Sequence, residues 1–261
     1  MRFKTLGLED LHIEDERAFR HVGLFDGLKQ ALRRDGYKFR VPERDAASWD
    51  RVVFLNLTFW DGGEQGDVLR VPAIPADVVC HVAWHHLGRR ALAKAGAGNG
   101  ADAMFLGEAI ASAFDVYLIG RLLGHSPDAQ FLETQVPAMA EVAEAAGLGE
   151  EGFEALLGDI SADPERAFED LRQLLFDVGT ALTTCAGVDA ASAALERFDG
   201  HRFMPLLHHF EMSNWVLYAR AYAPAALAPD PAVRAIDAAL RAAPVSLDWL
   251  ERHWVDAAEG A

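Results

Sequence analysis

One stretch constrains this chain more than any other: AMFLGEAIASAFDVYLIG, positions 103–120, places apolar side chains at every angle around a helix. A helix that is apolar all round must be enclosed by other elements, so the remaining chain has to wrap it. Between Met104 and Gly120 the only charged residues are Glu108 and Asp115. They interrupt the run, and no stretch in the chain reaches the roughly 18 consecutive apolar residues that a bilayer span requires. An unpaired carboxylate inside such a helix is costly, so each needs a cation, a hydrogen-bond donor or a metal. Being seven positions apart, the two share one helical face, with Ser112 between them. Arg89 or Arg90 for Glu108, and Arg121 or a histidine for Asp115, would make purely structural pairs.

The helix before it carries HVAWHHLG, within ADVVCHVAWHHLGRRALAKAG. His81 and His85 are i and i+4, so their rings leave one face of that helix close enough to share a metal ion. His86 points about 100° away. Gly88 returns to the face of His85 and would let another element approach. With Glu108 the pair forms a two-histidine, one-carboxylate set with open coordination positions, suited to one divalent ion, Zn or Fe(II).

The chain reads as mostly α with a small N-terminal sheet, an α+β arrangement forming one unit over 1–261, with a mixed lobe (1–100) and a helical lobe (101–261). A helix is expected from Asp15 to Arg34, stopping at Gly36. RVVFLNLTFW (51–60) predicts a buried strand ending in a turn at 61–63, and GDVLRVPAI (66–74) a second, antiparallel edge strand limited by Pro72. Pro75 opens the histidine helix. Further helices are expected over 102–123, 137–146, 151–157, 164–184 with Ser161 as cap, 189–198, 205–221, 231–242 and 246–258, with a connector from Tyr222 to Pro231.

Two adjacent strands, a helix with H-x-x-x-H, and a second helix bearing G-E-A-I-A together resemble the gluzincin branch of the zincin metallopeptidases. That resemblance covers about residues 51–120. It implies a zincin-like fold with the site between two lobes, and Glu108, 23 positions after His85, as third zinc ligand. The family's catalytic glutamate would fall at position 82, which is Val82, and its aspartate four residues beyond the third ligand would fall at Ser112. Valine cannot accept a proton from metal-bound water, so the standard hydrolytic route lacks its base. The metzincin variant fits Gly88 but meets Ala91 where its third histidine should stand.

A second polar cluster lies in PLLHHFEMSNW, where His208 and Glu211 are i, i+3 neighbours followed by Trp215 and Tyr218. As a core stripe it would hold a His–Glu hydrogen bond. As part of a site it would bring His208 or His209 in as a fourth ligand or acid–base group. Asp115, His208 and Glu211 are thus the candidate catalytic residues.

Forty acidic residues against 24 basic ones leave a net charge of −16, which disfavours nucleic acid and anionic membrane as partners. A small molecule or a peptide is the expected partner class. The charged N-terminus lacks a secretory pattern, and Cys80 and Cys185 stand alone, so a cytoplasmic protein with free thiols is expected. Three functions fit: a metal-dependent enzyme, hydrolase or Fe(II) oxygenase, of non-standard chemistry; an inactive zincin-like scaffold acting by partner binding; and a metal-free helical protein with a buried ion network.

Overall fold

The computed structural model describes residues 2–43, 66–222 and 227–256. The strand and turn expected over 51–63 lie outside the described residues, as do positions 223–226 of the connector.

Strands β1 (Phe3–Gly7) and β3 (Lys38–Pro42) pair antiparallel, with Phe3 opposite Pro42 and Gly7 opposite Lys38. Between them run the short β2 (His12–Glu14), a 3₁₀ turn at Ala18–His21, and helix α1 (Gly23–Arg34). The single helix expected from Asp15 is therefore shorter: Asp15 has φ 56° and the 3₁₀ turn ends before α1 begins. Leu24, Phe25, Leu28, Ala31 and Leu32 of α1 recur at helical spacing and are buried. Gly36, at φ 62°, supplies the left-handed turn that ends it.

The segment expected as one antiparallel strand is two pieces in two sheets. β4 (Asp67–Val68) lies parallel to β3, and β5 (Ala73–Pro75) parallel to β2. Each pair is joined by a long intervening segment rather than a hairpin, and such a crossover permits parallel pairing. Pro72 lends its carbonyl to the His12 N–H at 3.1 Å.

Helices make up the remainder: α2 (Ala76–Lys94), α3 (Ala101–His125), α4 (Gln130–Ala145), α5 (Glu150–Ala162), α6 (Pro164–Thr183), α7 (Val188–Glu196), α8 (Met212–Tyr222), α9 (Pro231–Ala242) and α10 (Ser246–Leu250). The protein is thus mostly helical with two small sheets. Helix α4 starts seven residues earlier than expected and carries Pro137 internally. Burial of Phe131 and Leu132, and Asp15 accepting the Gln130 N–H at 2.9 Å, secure its first turn. The cap of α6 is Asp163, which accepts from the Arg166 N–H at 3.0 Å, and not Ser161.

Helix α3 is the centre. By length and mean hydropathy it would suffice to cross a bilayer despite its two carboxylates, yet 72% of its most apolar window is buried inside the fold. It packs on α2, α5 and α6, with Phe105, Leu106, Phe114 and Leu118 in the hydrophobic core. At Gly120 an added Cβ would come within 2.6 Å of the Ile160 carbonyl oxygen, so only glycine admits that approach of α5. Arg172 of α6 is wholly buried and bonds Glu169 and Asp237 at 2.6 and 2.7 Å, which fastens α9 to α6.

Candidate metal centre

Position along α2 sets the first half of the site: Asp77, His81 and His85 lie at i, i+4 and i+8 and form one stripe. Packed beside it, α3 presents Glu108 and Asp115. The imidazole Nε2 atoms of His81 and His85 are 3.2 Å apart. His85 Nε2 lies 3.5 Å from Glu108 Oε2, and His81 Nδ1 lies 3.3 Å from Asp115 Oδ2. One donor atom from each of His81, His85 and Glu108 fits within 4.8 Å of the others, so the group could hold a metal ion.

Two of the three edges suit a tetrahedral ion. Ligands about 2.1 Å from a common centre are about 3.2–3.5 Å apart when the angle at the ion is roughly 100–115°. The His81–His85 and His85–Glu108 separations meet that range. The third edge, His81 to Glu108, lies within 4.8 Å.

The electrostatics are those of a concentrated acid–histidine cluster. Burial raises the Glu108 carboxyl, but His85 and His81 outweigh it and the net shift is downward. Burial lowers the His81 imidazole, while Asp115, Glu108 and Asp77 more than compensate and raise it. Asp77 is pushed up to about 7 by burial and by the nearby charge of Asp115. A metal ion bound here would compete with protons for these groups.

The site opens into a cleft of about 830 Å³ lined by His81, Glu108 and Asp115 on one side and by Met139, His209 and Trp215 on the other. A smaller cleft of about 480 Å³ reaches His85 and Glu108 from beyond Arg89, and Tyr218 borders both. No family model, curated protein or solved structure matches this chain significantly.

The sequence-derived set is brought together in part. His81, His85 and Glu108 converge, with Asp115 directly behind His81. Glu108 and Asp115 are 25% and 30% accessible, so they look into the cleft and are not enclosed on every side as the apolar helix suggested. The arginines go elsewhere: Arg90 pairs with Asp35, Arg121 with Glu165 and the Tyr117 hydroxyl. The helix expected from Pro205 to Ala221 is broken. A 3₁₀ turn covers Met204–Phe210, Glu211 adopts φ 52°, and α8 begins afresh at Met212.

That break turns His208 to solvent, and the neighbouring His209 enters the cleft in its stead. Glu211 sits at the rim and accepts from the Asn214 amide at 3.1 Å rather than from His208. His86 bonds Asp35 at 2.8 Å, away from the site. Gly88 does admit another element, but it is Trp254, whose ring would lie 3.3 Å from an added Cβ. Asp77 was missed; its spacing four residues before His81 was the available signal.

Proposed function

We propose that this protein binds one divalent metal through His81 Nε2, His85 Nε2 and the Glu108 carboxylate, and works as a metal-dependent enzyme on a small molecule or peptide in the adjoining cleft. The observation that carries this reading is the orientation of His81. Asp115 sits at Nδ1, so Nε2 is aimed at His85 and toward Glu108. A metal-ligating histidine is ordinarily held in this way, its second nitrogen donating to a carboxylate that fixes the tautomer and makes the ligand more basic. A bound Zn or Fe(II) would supply Lewis acidity or an activated oxygen ligand at its open positions.

The chain's own residues supply the rest. Asp115 holds the proton on His81 Nδ1, and Met139 and Trp215 exclude water from one wall of the cleft. His209 lines the same wall, across from the histidine–carboxylate group, its pKa lowered by burial against a smaller raising effect of Asp115 and Glu211, so its neutral ring can take a proton from a reactant. Val82, at the position where the gluzincin base would stand, is 3% exposed within the core and lines neither cleft. This favours a reaction other than zinc-peptidase hydrolysis, and supports an inactive scaffold as the second reading.

Metal analysis of protein purified without a histidine tag tests the proposal. One equivalent of zinc or iron in the wild type, with well under one in a folded His85→Ala variant, is the expected result. Metal-free wild type that takes up neither ion at micromolar concentration would sink it and leave the ion network as the answer.

A further inference from the structure

The face of α2 that points away from His81 and His85 borders a third cleft, of about 710 Å³. Leu87, Arg90, Ala91 and Lys94, at i, i+3, i+4 and i+7, form its wall on α2, and Arg34 and Asp35 close it at the end of α1. Charge here runs against the rest of the molecule. The chain has a net charge of −16, yet among the described residues Asp35 is the only acidic side chain lining this cleft, against Arg34, Arg90 and Lys94. That one carboxylate takes the Arg90 guanidinium, Arg34 Nε at 3.4 Å and His86 Nε2 at 2.8 Å. It orients the two arginines and leaves the cleft with positive charge in excess.

The opposite wall is aromatic, and a backbone irregularity makes it so. Residues Glu251–Val255 form a π-helical turn directly after α10. In an α-helix five steps leave a side chain about 140° from where it began, whereas a turn closed i to i+5 returns it to the same side. Trp254 lies within this turn and Trp249 two residues before it, and both line the cleft. Trp249 stacks on His253, with ring centres 4.2 Å apart and planes inclined by 17°, and meets Trp254 edge-on at 6.5 Å. Short π turns are rare and are frequently found at functional sites.

We propose that this cleft is a second binding site, for a small organic anion that joins a carboxylate to a flat aromatic body. A guanidinium held in place at one nitrogen by Asp35 presents its remaining N–H groups as a fork, which matches a carboxylate. The indoles offer an edge and a face to the ring. The site is independent of the metal reading, because its lining shares no residue with the His81–His85–Glu108 group.

Calorimetric titration of the full chain with 1-naphthoate, and in parallel with the neutral 1-naphthamide, tests it. Saturable one-to-one binding of naphthoate is expected, with the amide weaker by about tenfold or more. Arg90→Met, Lys94→Met and Trp249→Ala, each checked for an unchanged circular dichroism spectrum, should weaken naphthoate by roughly three- to tenfold, while His85→Ala leaves it unchanged. The proposal is overturned by equal affinity for acid and amide, by absence of saturation up to about 5 mM naphthoate, a range that reaches even weak ligands, or by loss of binding in His85→Ala alone.

Discussion

Asp115 Oδ2 stands 3.3 Å from Nδ1 of His81, and the other nitrogen of that ring faces His85 Nε2 at 3.2 Å. One carboxylate on α3 thereby decides which nitrogen of a histidine on α2 is available. The two helices are neighbours in sequence and in space, so a single packing interface sets both the candidate ligands and the carboxylate beside them.

Asp115→Ala should weaken metal binding by about 10–100-fold without removing a ligand, the usual effect of losing a carboxylate behind a ligating histidine. Asp115→Asn should fall between that variant and wild type, since an amide oxygen still accepts from Nδ1 but carries no charge. Competition with a coloured chelator measures both. Equal affinities across the three proteins would mean that Asp115 has no hold on the ligand.

Arg172 has no solvent-accessible side chain and is bonded to Glu169 through two nitrogens and to Asp237 through a third. Arg172→Met leaves two carboxylates facing a low-dielectric interior, so urea melts should show a loss of about 3–5 kcal/mol. Adding Glu169→Leu and Asp237→Leu to the same chain should recover much of that loss. A single variant as stable as wild type would contradict the reading of this network as the fastening between α6 and α9.

The same network sets a pH dependence. Burial pushes the Glu169 carboxyl up, but hydrogen bonds and charge from Arg172 prevail and bring it below its ordinary value of 4.5. The folded state then binds this proton less readily than the unfolded state. The associated stability is present in full above about pH 4.5 and drains away as pH falls through the lower folded value. Melts between about pH 6 and pH 3 should therefore show a steeper acid loss in wild type than in Glu169→Gln. Parallel curves would assign the acid sensitivity to other groups.

Val82→Glu places a carboxylate in the core rather than beside the candidate metal, because Val82 is 3% exposed and borders neither cleft. The variant should lose about 2–7 kcal/mol or fail to fold, and gain no chelator-sensitive peptidase activity. Stable Val82→Glu protein that cleaves an unstructured peptide would show that position 82 reaches the metal after all.

Much of the site was legible because its signals are local. His81 and His85 share a turn, and two carboxylates in an apolar helix have few ways to be satisfied. The parts that escaped depend on distant partners or unusual backbone. β4 and β5 have two and three residues, too few for alternation to reveal their pairing. Glu211 is a non-glycine residue at φ 52°, so no glycine announced the break that sends His208 out and His209 in. The π turn at Glu251–Val255 directly follows the five-residue α10, and Arg172 meets Asp237 across 65 residues of chain.

The central position of α3 has a consequence for dividing the molecule. Its apolar surface is covered by α2 from earlier in the chain and by α5, α6 and α9 from later, and Asp102 at its start is clasped by Arg234 at 2.7 Å. A cut in the loop on either side of α3 would strand a wide greasy face on one fragment and remove the support of the other. Neither fragment would stay in solution alone, and the native fold would return only when the two are refolded together.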